Sequence, residues 1–271
     1  MGDTRADRGV LAGGLPFNRI GSGPPVVVLQ GLTFEHRALS GMEVRFTMAP
    51  FRRLAEDRSV YVVNRRPGLE RGTSLAQMAA DYAAMIRAEF QPPVEVIGNS
   101  SGGSIAFYLA AEHPQLVRRL VIQDCGCRLT ESGRAWGREV IRLAEEGEWR
   151  RIAELMMRTV QPDDRLGGAM ARIFSPLMAR SAPSDPTDMI ALLEAEDRLD
   201  FTPRLHEVEA TTLIACGELD PFCGGDLAEE TAAGMPDARA LVYAGLRHGL
   251  RGDRYARDLA SFVLDARRED P

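Results

Sequence analysis

A chain of 271 residues with 45% hydrophobic content can bury a full core, and α/β folds of this length are commonly one domain. The formal charge of -6 and the pI near 5.4 leave no basic patch, which argues against nucleic acid as a partner. All 33 basic residues are arginine, which excludes a lysine nucleophile or Schiff base.

The first residues, Met1 to Arg8, are polar and charged with no apolar run behind them, and no apolar stretch of about 18 residues occurs anywhere. A cytoplasmic protein without a membrane span is expected. The four cysteines, Cys125, Cys127, Cys216 and Cys223, show neither zinc spacing nor a C-x-x-C pair, so reduced thiols are expected. Cys125 and Cys216 fall in comparable positions at the ends of two strands, which leaves a site-facing thiol open.

Residues 1–23 hold two short apolar pieces, Val10-Leu11 and Phe17 to Ile20, separated by glycines, and read as a small antiparallel start to a sheet. Gly21-Ser22-Gly23-Pro24-Pro25 is not a phosphate loop, because prolines remove amide donors and no buried strand precedes it. Val26-Val27-Val28-Leu29 is a continuous β-branched run, the mark of a strand covered on both faces. It ends in Gln30-Gly31-Leu32-Thr33-Phe34, at the carboxyl end of a central strand, where free backbone amides meet ligands in open α/β sheets. The amide of Leu32 is therefore a candidate oxyanion donor. A helix near residues 51–56 leads to a second buried strand, Val60-Tyr61-Val62-Val63. Ser74 then caps a helix in which Leu75, Met78, Ala79, Tyr82, Met85 and Ile86 recur at helical spacing.

After Pro92-Pro93 comes Val94-Glu95-Val96-Ile97, a buried strand running into Gly98-Asn99-Ser100-Ser101-Gly102 and then into a helix over residues 105–111. That is a G-x-S-x-G in a strand–turn–helix context, which pushes a serine hydroxyl out of the sheet on a strained turn. Ser100 is the candidate nucleophile; Ser101 has Asn99 and Gly103 at that spacing. A Cβ at either flanking glycine would clash where strand end and helix start meet. His113-Pro114 stops the helix, and Leu120-Val121-Ile122-Gln123-Asp124 is the next strand. Strand and helix alternate, as in a parallel sheet with right-handed crossovers. From about residue 129 to residue 205 no buried strand appears. Helical faces do, with Trp136, Val140, Leu143 and Ala144 on one and Trp149, Ile152, Leu155 and Met156 on another. An insertion of this kind reads as a lid over the strand ends. The sheet resumes at Thr211 to Ala215, ending in Cys216-Gly217-Glu218-Leu219-Asp220. A last strand, Ala240 to Tyr243, ends in Gly245-Leu246-Arg247-His248-Gly249, and a helix over about residues 255–267 covers the sheet.

Ser100, Asp220 and His248 thus stand in loops after three different strands, in the order nucleophile, acid, base. A serine hydroxyl is a poor nucleophile at neutral pH, so His248 would take its proton and return it to the leaving group. Asp220 would fix the imidazole tautomer, and the amides of Leu32 and Ser101 would hold the oxyanion. Asp124, which also follows a strand, is the alternative acid.

The sequence resembles the α/β-hydrolase superfamily over nearly the whole chain, from about residue 16 to residue 264. Ile20-Gly21-Ser22-Gly23-Pro24-Pro25-Val26 is similar to the family's approach to its first central strand. Gly98 to Gly103 resembles its elbow, Cys216 to Asp220 its acid turn, and Gly245 to Gly249 its histidine loop. The resemblance implies an eight-stranded, mostly parallel sheet with one antiparallel strand, a helical cap after the sixth strand, and no cofactor. The family usually has His-Gly in its oxyanion loop, where this sequence has Gln30-Gly31. Residues 1–128 and 206–271 are then the hydrolase core and residues 129–205 the cap. The pocket is expected to draw on Gln30, Phe34, His36, Trp136, Met157 and Phe174, with no metal. The expected activity is hydrolysis of a carboxylic ester, lactone or thioester of a small apolar substrate through an acyl-enzyme. A homodimer is left open. C–C bond cleavage or cyclisation by the same triad, and a small-ligand-binding protein on this fold, are the alternatives.

Overall fold

The β-branched runs form the middle of the sheet. In β3 (Pro25–Leu29) the side chains of Val26, Val27, Val28 and Leu29 are fully buried, as a strand covered on both faces requires. The computed structural model describes residues 6–160, 175–176, 179–180 and 182–265. The other strands are β1 (Asp7–Leu11), β2 (Leu15–Ile20), β4 (Ser59–Val63), β5 (Val94–Asn99), β6 (Val117–Gln123), β7 (Thr211–Gly217) and β8 (Ala238–Tyr243). They form one eight-stranded sheet in the order β1-β2-β4-β3-β5-β6-β7-β8. Only β2 runs against the rest, pairing antiparallel with both β1 and β4. Every other pairing is parallel, with Val27 opposite Tyr61 on one side and Val96 on the other.

Alternation along β3 divides the core into two layers. Val27 and Leu29 pack with Val96, Ile122 and Ile214 under α2 (Leu75–Glu89) and α3 (Ser101–Glu112). Val26 and Val28 pack with Ile97, Val121 and Leu213 on the opposite face. That face is covered by the C-terminal helix over Asp253–Leu264, through Leu259, Phe262 and Val263. Ser74 caps α2 as the sequence indicates, its hydroxyl accepting from the Gln77 amide at 3.1 Å while the Gln77 side chain reaches back.

The insertion between β6 and β7 carries α4 (Glu131–Glu145), α5 (Trp149–Val160) and α6 (Thr187–Asp197). These helices have a core of their own, in which Val140, Leu143, Ile152, Met189, Ile190 and Leu193 meet. Each such side chain contributes about 1.5–3 kcal/mol when fully buried, so the insertion is held by packing as well as by its ends. Its two ends are stitched together, because the Phe201 amide donates to the Cys127 carbonyl at 2.8 Å beside an antiparallel bridge between Arg128 and Asp200.

One expected helix is different. Residues 51–56 form no α-helix but parts of two 3-10 turns, Ala49–Phe51 and Leu54–Glu56, whose buried residues are Phe51 and Leu54. The α-helix lies earlier, as α1 (Gly41–Met48). It carries no apolar stripe, since Met42 and Phe46 are exposed, so hydrophobic periodicity is silent there. The Ser40-Glu43 capping box was the readable signal. Among the described residues no helix is long and apolar enough to cross a membrane.

Candidate active site

β5 ends at Asn99 and α3 begins at Ser101, so Ser100 makes the turn by itself. Its φ of 51° and ψ of -120° lie where a residue with a Cβ is strained. The flanking glycines make this possible. A Cβ on Gly102 would stand 2.0 Å from the Leu29 carbonyl oxygen, and one on Gly98 would stand 2.6 Å from the Gly103 Cα. The Ser100 amide donates to the Gln123 carbonyl at 2.8 Å, which ties the turn to β6.

The structure brings Ser100, His248 and Asp220 together from three loops. His248 Nε2 lies 2.9 Å from Ser100 Oγ, and His248 Nδ1 lies 2.8 Å from Asp220 Oδ2. The Phe222 amide donates to Asp220 Oδ1 at 2.8 Å and holds the carboxylate in its turn. The acid turn and the histidine loop are packed on each other, with the Leu219 amide donating to the Leu246 carbonyl at 2.9 Å. Burial alone lowers the His248 pKa, but the charge and hydrogen bond of Asp220, with Asp124 and Glu196 beyond, raise it above the usual 6.5 in sum.

Asp124 stands beside the ring without bonding to it. Its Oδ2 accepts from the amides of Gly249 and Leu250, at 3.2 and 2.9 Å, and from Gln123 Nε2 at 3.0 Å. It therefore grips the histidine loop while Asp220 grips the imidazole. Burial pushes the Asp124 carboxyl up to about 6. Asp124, Asp220 and His248 hold possible ligand atoms within 4.8 Å of one another, the one such cluster among the described residues. Both ring nitrogens there are already engaged, one by Asp220 and one by Ser100.

Leu32 and Ser101 line the same cavity as Ser100. The loop that carries Leu32 is clamped from behind by Arg65, a fully buried residue just after β4. Arg65 Nη1 donates to the Gln30 carbonyl at 2.6 Å, Nη2 to the Gly31 carbonyl at 2.9 Å, and Nε to His36 Nε2 at 3.0 Å. The last bond sets the tautomer of His36, whose Nδ1 then donates to the Arg66 carbonyl at 3.1 Å. Burial and the adjacent Arg65 charge lower the His36 pKa to about 2, so it stays neutral. Burial also lowers the Arg65 pKa, against the attraction of Glu196 and Asp188.

Glu196, on α6, reaches the other side of the elbow. Its two oxygens accept from Ser101 Oγ at 2.9 Å and Ser104 Oγ at 2.8 Å, and burial raises its pKa. Neither Arg65 nor Glu196 stood out in the sequence. Arg65 stands two residues after a buried strand, and Glu196 sits four residues after Leu192 on the buried side of a helix, the spacing that marks a core position.

A cavity of about 320 Å³ lies between the strand ends and α4 to α6. Of the expected pocket residues, Gln30, Trp136 and Met157 line it. His36 and Phe34 do not. His36 is buried under the loop that carries Leu32, taken up by Arg65, because a neutral imidazole is the acceptor that the buried guanidinium lacks. Phe34 turns instead against Trp149, with ring centroids 5.6 Å apart, and joins the core of the insertion. Phe174 lies outside the described residues. All four cysteines are free and buried; Cys125 lines the cavity, and burial pushes its thiol pKa up, away from thiolate chemistry.

A model of the alpha/beta hydrolase fold family matches residues 52–250. A putative carbamate hydrolase RutD of Serratia proteamaculans is 25% identical over 177 residues, 64% of this chain and 66% of its own length. A pimeloyl-[acyl-carrier protein] methyl ester esterase of Neisseria meningitidis is 26% identical over 64% of this chain and 68% of its own. The match thus spans about two thirds of the length of these relatives. Among solved structures, a hydrolase from Pseudomonas aeruginosa superposes with a TM-score of 0.76 at 18% identity, covering 98% of this chain and 100% of its own. The enol-lactonase of Burkholderia xenovorans gives 0.76 at 17%, covering 96% and 98%. At such identities these two structures speak for the fold alone. With the family match across most of its length and the sheet described above, the chain is a member of the alpha/beta hydrolase fold family.

Proposed function

We propose that the protein is a serine-dependent hydrolase of carboxylic esters, lactones or thioesters, working through an acyl-enzyme on Ser100. The observation that carries this reading is the unbroken relay from Ser100 Oγ through the His248 ring to Asp220, at 2.9 and 2.8 Å. His248 Nε2 takes the proton from Ser100 as the hydroxyl oxygen attacks the acyl carbon. Asp220 stabilises the imidazolium that results, in line with the raised His248 pKa. The carbonyl oxygen becomes an oxyanion held by the amides of Leu32 and Ser101, each such donor being worth about 2.7–4 kcal/mol. When the carbonyl re-forms, the alcohol or thiol leaves with the proton from His248. Water, deprotonated by the same nitrogen, then releases the acid and free Ser100.

In this reading α4 to α6 act as a cap, and the apolar wall of Leu129, Met156, Met157, Val160 and Leu193 receives the body of a small substrate. The carbamate hydrolase and methyl ester esterase names among the relatives support hydrolysis of an acyl bond.

The test is intact-mass analysis after exposure to a fluorophosphonate, with Ser100→Ala alongside. A single adduct on the wild type and none on the variant is the expected result. An unlabelled wild type, with ligand binding retained, would move the protein to the ligand-binding reading.

A further inference from the structure

The first turn of α3 has little in its own sequence to hold it. It reads Ser101-Gly102-Gly103-Ser104, and the packing demands both glycines. A Cβ on Gly102 would stand 2.0 Å from the Leu29 carbonyl oxygen, and one on Gly103 would stand 2.7 Å from the Cys125 Cβ. Glycine is a weak helix former, because it has the most backbone freedom to lose. The N-cap gives no help either. Ser100 occupies it without a side-chain cap bond, its hydroxyl lying against His248 instead. Yet the turn must follow directly on the strained φ of 51° at Ser100, a conformation that persists only where the surroundings over-determine it.

Glu196 supplies what the local sequence lacks. Ser101 and Ser104 are three residues apart, so their hydroxyls share one face of the helix, on either side of the glycine pair. Each donates to its own oxygen of the one carboxylate, Ser101 to Oε2 at 2.9 Å and Ser104 to Oε1 at 2.8 Å. The carboxylate therefore bridges the turn. Such charge-assisted bonds are stronger than bonds between neutral groups, and the positive end of a helix favours an anion beside it. The bridge also has a fixed footing. α6 is wedged between two cores, with Met189, Ile190 and Leu193 in that of the insertion and Ala191, Leu192 and Ala195 in that of the sheet.

Resting on the hydrolase reading above, we infer that Glu196 is a positioning residue, which staples the first turn of α3 across its two glycines and so holds the Ser101 amide where the oxyanion forms. The two oxyanion donors then have one buried charge each behind them. Arg65 clamps the loop that carries Leu32, and Glu196, from the insertion, clamps the residue that carries the second amide.

Glu196→Leu keeps much of the volume and removes both acceptors. On 4-nitrophenyl butanoate, with the variant folded by circular dichroism, kcat should fall about ten- to a hundredfold while KM stays within about threefold, a smaller loss than that of a whole oxyanion donor. Glu196→Gln keeps an acceptor for one hydroxyl and offers a donor to the other, so it should recover kcat to within about fivefold of the wild type. A folded Glu196→Leu with kcat within about threefold of the wild type, a loss carried by KM, or equal losses in the Leu and Gln variants overturns the role. Should Glu196→Leu not fold, Ser101→Ala combined with Ser104→Ala removes the same two bonds from the other side, and the same fall in kcat upholds the role while wild-type kcat overturns it. A wild type that neither turns over the ester nor takes up the fluorophosphonate would count against the hydrolase reading instead. The staple is then decided by hydrogen exchange in whichever variant folds: faster exchange confined to the first turn of α3 upholds it, and exchange as in the wild type overturns it.

Discussion

Replacing Arg65 by methionine is expected to separate stability from activity in this fold. The substitution removes three hydrogen bonds from a charged donor, to the carbonyls of Gln30 and Gly31 and to His36 Nε2. Bonds of that kind contribute roughly 1.5–3 kcal/mol each, or about 4.5–9 kcal/mol in gross terms for the three. Against this, a fully buried guanidinium carries a desolvation cost of several kcal/mol, which the variant no longer bears. The two nearly offset, so urea unfolding should show a net loss of no more than about 3 kcal/mol. Activity should respond far more. In the proposed mechanism the clamp holds the strand end that presents the Leu32 amide, and a misplaced oxyanion donor would cost about 2.7–4 kcal/mol in the transition state, or 10²–10³ in rate. With 4-nitrophenyl butanoate as substrate, kcat should therefore fall by about that factor while KM changes little. Arg65→Lys should not restore it, because a single ammonium cannot fork to two carbonyls and a ring nitrogen. A folded Arg65→Met that keeps kcat within about threefold of the wild type would refute the reasoning.

His248→Ala should abolish nearly all turnover, and Asp220→Asn should lose somewhat less, with both variants folded by circular dichroism. Should Asp220→Asn keep full activity while Asp124→Asn loses it, the acid has been assigned to the wrong carboxylate. The base must be neutral to take the serine proton, so the acid limb of the kcat/KM profile should fall above pH 6.5, the direction in which His248 is displaced. A limb below pH 6 would contradict the Asp220 contact. Asp124 has its carboxyl raised from 3.8 to about 6, so the folded state keeps a proton that the unfolded chain gives up. Its ionisation weakens the fold as pH rises from about 4 through about 6, by about 3 kcal/mol at 1.36 kcal/mol per unit. Relative to wild type, Asp124→Asn should gain stability by that order between pH 4 and pH 8, and a stability difference that stays flat with pH would show that the carboxyl is not displaced.

Much of this protein could be read without coordinates, for local reasons. Continuous runs such as Val26 to Leu29 and Val60 to Val63 are legible because a strand covered on both faces needs an apolar side chain at every position. The elbow is legible because its turn excludes a Cβ at Gly98 and Gly102, so steric demand is written into two fixed positions. The order Ser100, Asp220, His248 follows from which strands end in which loops.

Tertiary structure alone decided what fills the space behind and above those loops. The clamp of Arg65 and His36 joins residues 29 apart, and the bonds from Ser101 and Ser104 to Glu196 cross 95 and 92 residues. No spacing rule reaches across such gaps, because the partners meet only after the sheet and the insertion have packed. For the same reason the sequence put His36 and Phe34 in the pocket, on the loop that lines it, while the fold turned one under the loop and the other into the core of the insertion. A strand's end is determined by its own residues; the direction of a side chain in a long loop is determined by whichever polar or apolar group the rest of the chain leaves unpaired beside it.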